Sequence, residues 1–215
     1  MVTPRQSARE QMVRDIVRVG RAHLASVRPA ELSLRAVARD LDVVPSALYR
    51  YVRDREALIA LLVADADREL GDTVDAALAA APRRSHRNRL TAAVLAARAW
   101  AAREPSRFAL LHGGQTGRPG TRLLRAAAML AEDAWRAGKL TAVTAPLDKT
   151  VRADMEKLRL AHGLTMPVGN VARVYGLWSA IVGAILFDTS GQYPVTDPEA
   201  FLRAHITGLA GTIGL

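Results

Sequence analysis

The chain has 215 residues and a formal net charge of +9; half its residues are apolar, few are aromatic and none is cysteine. That length holds one large or two smaller domains with a real core, and the lack of cysteine excludes a disulfide framework, a thiol nucleophile and cysteine-based zinc sites. A composition led by Ala, Leu, Val and Arg favours helices over sheets, and the positive charge calls for an acidic partner, either nucleic acid or an anionic membrane surface.

The opening residues Met1 to Arg5 run into charged sequence without the apolar core and small-residue cleavage site of a secretory signal. A first helix is expected from Arg5 to about Arg28, because Ala8, Met12, Ile16, Val19 and Leu24 recur on one helical face, and Pro29 stops it. Ser33 then caps a short second helix ending near Leu41, with Leu32 and Val37 placed to touch across the cap. Asp42-Val43-Val44 reads as a turn. Pro45 suits the first position of a third helix reaching Tyr51. Asp54 caps a long fourth helix carrying Leu58, Leu61, Leu62 and Leu70 toward Ala80.

Beyond the joint at Pro82 to Ser85, helical patterns recur at 87–103, 105–112, 121–137, 147–162, 168–188 and 198–212. Gly113 to Gly120 is the clearest loop, and Thr144-Ala145-Pro146 and Gly191 to Pro194 mark two more. Asp197-Pro198-Glu199 supplies a cap, a proline and an acid for the last helix. The apolar run Val174 to Phe187 is closed by Arg173 and Asp188 and falls short of the about 20 residues a membrane span needs. A soluble, cytoplasmic chain with no membrane partner is therefore expected.

Two short helices joined by a tight turn and preceded by a longer one form the shape that lays its second member in the major groove. Leu34, Val37, Ala38, Leu41, Val43, Leu48 and Val52 can knit these helices together. Arg35, Arg39, Ser46, Tyr49, Arg50 and Tyr51 then face outward, and they are donors and aromatics rather than acids. Arginine reads guanine bidentately, while hydroxyls and basic groups around it hold phosphate oxygens. The bland reading is a helical bundle with a solvated basic face.

The stretch Leu34 to Leu62 resembles the tetracycline-repressor (TetR) family of bacterial regulators. The matching residues are Leu34-Arg35-x-Val37-Ala38-x-x-Leu41-x-Val43, then Ala47-Leu48-Tyr49-Arg50-Tyr51-Val52, then Arg55-Glu56-x-Leu58. The resemblance implies that Arg35, Pro45, Ser46, Ala47 and Arg50 face bases, that Tyr49, Tyr51 and Arg55 anchor phosphates, and that Ser33 belongs to the same DNA-contacting set. Two positions depart from the family's habit: Asp42 stands where glycine is usual in the turn, and Val44 where a polar residue often precedes the recognition helix. Aspartate tolerates the left-handed conformation better than most residues, whereas valine cannot cap.

The resemblance also extends, more thinly, to Trp178 through Phe187 and to Asp197 through Phe201, which look like the last two helices of family members whose subunits pair there. Independently, the first of these helices is apolar on nearly every face and needs cover on all sides, from a partner subunit or from a monomer core. Gly176 and Gly183 would admit a close neighbour. The expected architecture is all-α: a helix-turn-helix domain over 1–54, joined by a long helix to a helical effector-binding and dimerisation domain over 55–215. A pocket for a small apolar or amphipathic effector is expected there, with Trp100, Phe108, His112, Met129, Trp135, Met155, Met166, Tyr175 and Trp178 as candidate lining. Each of these, taken singly, is more often plain core than ligand contact.

The function expected is a homodimeric, ligand-released repressor on a palindromic operator, with double-stranded DNA as partner. An architectural DNA-binding protein without an effector is a second reading, and a protein of the membrane surface a third. An enzyme is disfavoured: no phosphate-binding glycine loop or nucleophile elbow is present, and His23, His86, His112, His162 and His205 lack metal-ligand spacing. No catalytic residue, metal or cofactor is assigned.

Overall fold

Among residues 3–113, 122–144 and 146–214, which the computed structural model describes, helix is the only extended regular structure: ten α-helices and no strand. They are α1 (Pro4–Leu24), α2 (Leu34–Asp40), α3 (Pro45–Leu48), α4 (Arg55–Ala80), α5 (His86–Arg103), α6 (Pro105–His112), α7 (Arg122–Arg136), α8 (Lys149–Ala161), α9 (Val168–Thr189) and α10 (Pro198–Ile213). The expected loop from Gly113 lies, beyond that first residue, outside the described residues, as does Ala145. The expected all-α class is what the chain adopts.

Start signals are chemical. Thr3 and Gln6 form a reciprocal capping box on α1, and Ser85, Asp148 and Asp197 accept amide hydrogens at the starts of α5, α8 and α10, each satisfying a donor that an open helix end leaves unpaired. The first helix stops at Leu24, short of the expected Arg28. The residues that follow close into a 3-10 turn at Pro29–Glu31, where the Glu31 carboxylate accepts from the backbone and guanidinium of Arg28.

Contacts divide the chain into two units: residues 1–69 with 106–118, and 70–105 with 119–215. In the first, Ile16, Val19 and Leu24 of α1, Leu34, Val37 and Ala38 of α2, Leu48, Val52, and Leu58 and Leu62 of α4 are buried. Fully burying a side chain of this size is worth about 1.5–3 kcal/mol. Gly20 leaves room for Leu62, whose methyl would lie 3.1 Å from an added Cβ. Polar groups fasten the same unit: the buried Arg107 of α6 donates to Asp65 and Glu69 of α4 at 2.9 and 2.8 Å, and Arg21 of α1 binds the same two carboxylates.

In the second unit α9 packs against α5, α7, α8 and α10, and α5 packs also against α7 and α10. Two buried polar side chains organise its loops. Glu132 of α7, with no exposed surface, accepts from the backbone of Thr165 and Met166 at 2.9 and 3.1 Å, from the Thr165 hydroxyl, and from Arg136 Nε at 2.7 Å. Asn170 of α9 accepts from Val143 N and donates to the Thr141 carbonyl, both at 3.0 Å. The helix around the apolar run 174–187 is 22 residues long, enough by length and composition to cross a membrane. It is packed against four neighbouring helices instead, with Val171, Val174, Leu177, Ile181 and Ile185 buried.

Candidate nucleic-acid interface

The frame of the interface is set by backbone hydrogen bonds at the turn after α2. Val43 N donates to Ala38 O and Asp42 N to Arg39 O, both at 3.0 Å. This pair closes a helix through a left-handed residue, and that residue is Asp42, at φ 55°. Among the described residues it is the one non-glycine with positive φ, so the expectation drawn from its side chain is met. Ser33 caps α2 by accepting from Ala36 N at 3.4 Å. Val44 occupies the corresponding position of α3 without a side-chain hydrogen bond, and Pro45 takes the first helical position.

Regular α-helix in the recognition segment covers only Pro45–Leu48. The chain then tightens: Arg50 N reaches Ala47 O and Tyr51 N reaches Leu48 O, at 3.3 and 2.9 Å. Such three-residue closures are common where a helix ends. The helix expected through Tyr51 is thus four helical residues followed by a turn. An uncapped start and a short length leave little to hold a longer helix.

Burial sorts this segment by side chain. Leu48 and Val52 are buried, Ala47 is half-buried, and Arg35, Pro45, Ser46, Tyr49 and Arg50 are exposed, Tyr49 by 47%. Tyr51 is half-buried, with the guanidinium carbon of Arg9 5.6 Å above its ring. Asp40 is engaged by His23 at 2.6 Å and by Arg39, which hold its carboxyl below the usual carboxylate range. Asp54 caps α4 through Ala57 N at 2.7 Å. Arg55 donates to the Ala30 carbonyl at 2.7 Å and to Glu56 at 3.0 Å, which commits two of its five N–H groups and ties the α1–α2 connection to the start of α4.

The nine candidate effector residues do not gather in one place. Met166 belongs to a core cluster with Leu124, Ala131, Leu140, Leu164 and Val174, and Trp135, Met155, Tyr175 and Trp178 pack half-buried against it. Tyr175 and Trp178 meet edge to face, and burial raises the Tyr175 hydroxyl above its ordinary pKa. Trp100 is buried within the second unit. Phe108 and His112 lie in the first, their rings 4.3 Å apart, with His112 Nδ1 donating to the Phe108 carbonyl. Met129 is 40% exposed beside a cleft of about 420 Å³ that Arg89, Arg125 and Leu130 also line. Sequence reasoning passed over Glu132 and Asn170; for Glu132 the available signal was an acid following directly on the alanine-rich stretch of α7. No group of His, Asp and Glu able to hold a metal occurs among the described residues.

Comparison with known proteins agrees with this geometry. The family described as Tetracyclin repressor-like, C-terminal domain, matches residues 90–209. The HTH-type transcriptional regulator Rv1816 of Mycobacterium tuberculosis is 38% identical over 219 aligned residues, covering 95% of this chain and 93% of that protein. A solved structure of the protein SCO4313 superposes with a TM-score of 0.72 at 26% identity, covering 97% of this chain and 100% of the other. A tetR-family regulatory protein from Rhodococcus RHA1 shares the fold alone, with a TM-score of 0.60 at 13% identity over 94% of this chain and 96% of its own. A helix-turn-helix frame with an exposed arginine- and tyrosine-bearing segment, followed by a matched repressor-like C-terminal region, places the chain in the TetR family of DNA-binding transcriptional regulators.

Proposed function

We propose that the chain is a repressor that binds a palindromic operator as a homodimer and leaves it when a small molecule binds the second unit. Arg35, Pro45, Ser46, Ala47 and Arg50 are assigned to base edges, and Tyr49, Tyr51 and Arg55 to phosphates. Ser33 sits at the amino end of α2, where it caps the helix and borders the same duplex. Arg55 would use the N–H groups its two protein partners leave over. The observation that carries this reading is the exposure of Arg35, Ser46, Tyr49 and Arg50 around a buried Leu48–Val52 anchor. A helix so anchored can enter a major groove without unfolding anything.

Pairing through α9 and α10 is supported by their outer faces. Gly176, Ser179, Ala180, Gly183 and Phe187 form one stripe on α9; Phe201, Ala204 and Gly208 form one on α10. A Cβ built on Gly176, Gly183 or Gly208 meets nothing within 4 Å, and Phe187 and Phe201 are 49% and 39% exposed. Apolar, small-residue stripes of this kind suit a two-fold helix pair. Two recognition segments would then meet half-sites about 34–36 Å apart or a multiple of that spacing.

The effector is assigned to the neighbourhood of Trp135, Met155, Met166, Tyr175 and Trp178, and acts by preferring one of two states of the dimer. We place the protein in the cytoplasm and assign it no turnover. Selection of duplexes from a random pool, followed by binding of the recovered sequence, tests the proposal. Arg50→Ala should cost about 1–3 kcal/mol and relax preference at one base step. Gly183→Leu should shift the protein toward monomer in sedimentation and weaken operator binding with it. A protein that recovers no consensus and stays monomeric at micromolar concentration would overturn the reading.

A further inference from the structure

The arginines of the first unit divide by their partners. Of the thirteen described there, nine have a carboxylate oxygen within 4.0 Å. The four without one among the described residues are Arg5, Arg9, Arg35 and Arg50, all of them exposed. Arg35 and Arg50 belong to the helix-turn-helix already assigned to bases. Arg5 and Arg9 belong to α1, which the sequence motif does not touch.

Their placement connects them to the same surface. Arg5 and Arg9 are four residues apart on a continuous helix, hence on one face and about 6 Å apart along its axis. The Arg9 guanidinium lies over the ring of Tyr51, the residue that ends the recognition segment. The ring fixes where that charge sits, and cation–π attraction to the ring's face leaves the guanidinium N–H groups unspent. The first turn of α1, which holds Arg5, contains no acid, and the carboxylate of Glu10, next to Arg9 in the chain, lies 3.9 Å from Arg14. Unneutralised, prepositioned guanidinium groups beside a groove-reading segment match the chemistry of phosphate recognition.

We infer that Arg5 and Arg9 extend the DNA footprint beyond the helix-turn-helix, holding backbone phosphates that flank the bases met by the recognition segment, with Tyr51 acting as the positioning residue for Arg9. The inference rests on the DNA-binding reading above and adds contacts from α1. A phosphate contact contributes to the salt dependence of binding, about 0.9 units of log K against log salt for each phosphate neutralised on B-DNA.

The test uses the full-length protein and a fluorescently labelled 30-base-pair duplex recovered by selection, titrated at several salt concentrations. Arg5→Ala and Arg9→Ala should each lower the slope by about one unit per subunit while leaving the preferred sequence unchanged; Arg9→Lys should retain most of the slope. Tyr51→Phe should preserve the contribution of Arg9, and Tyr51→Leu should shrink it, so that adding Arg9→Ala to Tyr51→Leu costs less than in the native background. An unchanged slope in both alanine variants, with Arg50→Ala still impaired, overturns this inference and leaves the DNA-binding reading standing. Failure of the native protein to bind any duplex at low salt removes both. Exposed helix positions tolerate alanine, so a near-native circular dichroism spectrum is expected for each variant.

Discussion

Glu132 offers the sharpest test of how the second unit is held together. Its Oε2 accepts the backbone amides of Thr165 and Met166, while Oε1 accepts the Thr165 hydroxyl and Arg136 Nε. Burial alone would raise this carboxyl, but the bonds from Thr165, Met166 and Arg136 outweigh it and hold it below the ordinary carboxylate range. In Glu132→Gln the amide oxygen can stay on the two backbone donors and its NH₂ can donate to the Thr165 hydroxyl, which rotates to accept. Only the largely exposed Arg136 and the charge assistance are lost, for about 1–2 kcal/mol. Glu132→Ala instead strands the buried Met166 N–H, loosens Thr165 and leaves a void, for about 3 kcal/mol. At about 2–4 °C per kcal/mol in a chain of this size, the alanine variant should melt about 6–12 °C lower.

Urea titration followed by circular dichroism at pH 7 measures both differences, and repeating it at acid pH adds an independent arm. Because the folded carboxyl is lowered, its stabilisation is complete above the unfolded-state pKa and fades as pH falls through the folded one. The native protein should therefore lose stability in that acid window more steeply than Glu132→Gln. Equal stability of the alanine variant and the native chain at pH 7, or equal losses in the glutamine and alanine variants, would refute the clasp.

Asp42→Gly should change stability by less than about 1 kcal/mol, since relief at φ 55° is offset by a more flexible unfolded chain, whereas Asp42→Val should cost about 1–2 kcal/mol or more; thermal melts separate them. Val44→Ser supplies the missing hydroxyl at the start of α3 and should stabilise it by about 0.5–1 kcal/mol, measured as slower amide exchange in residues 46–48. Burial lowers the His112 imidazole against the opposing pull of its bond to the Phe108 carbonyl and of Asp67. Its contribution is whole above the ordinary histidine pKa and is lost as pH falls through the lowered one. His112→Gln should flatten the stability profile in that window, checked by melting the two proteins across pH 5 to 8.

Much of the architecture was legible because the signals were local. Apolar spacing marked the helices, and Ser33, Asp54 and Asp197 announced starts that the backbone then used, whereas the cap at Ser85 lay hidden in a stretch that reads as a joint. The Asp42 turn could be read from one side chain's tolerance of a left-handed backbone. The recognition helix was overextended because periodicity records which residues face inward, and a 3-10 turn through Tyr51 keeps Leu48 and Val52 inside as well as an α-helix would.

By itself, then, the order of residues determined the all-helical class and the helix starts, because each depends on neighbours within about one turn, and it marked Leu34, Val37, Leu48 and Val52 as the inward positions of the helix-turn-helix. Tertiary structure alone decided that Glu132 and Asn170 clasp loops distant in the chain and that Arg9 lies over Tyr51. It also decided which arginines spend their charge on carboxylates and which keep it. Those outcomes depend on groups tens of residues apart meeting within hydrogen-bond range, and no spacing along the chain encodes that distance.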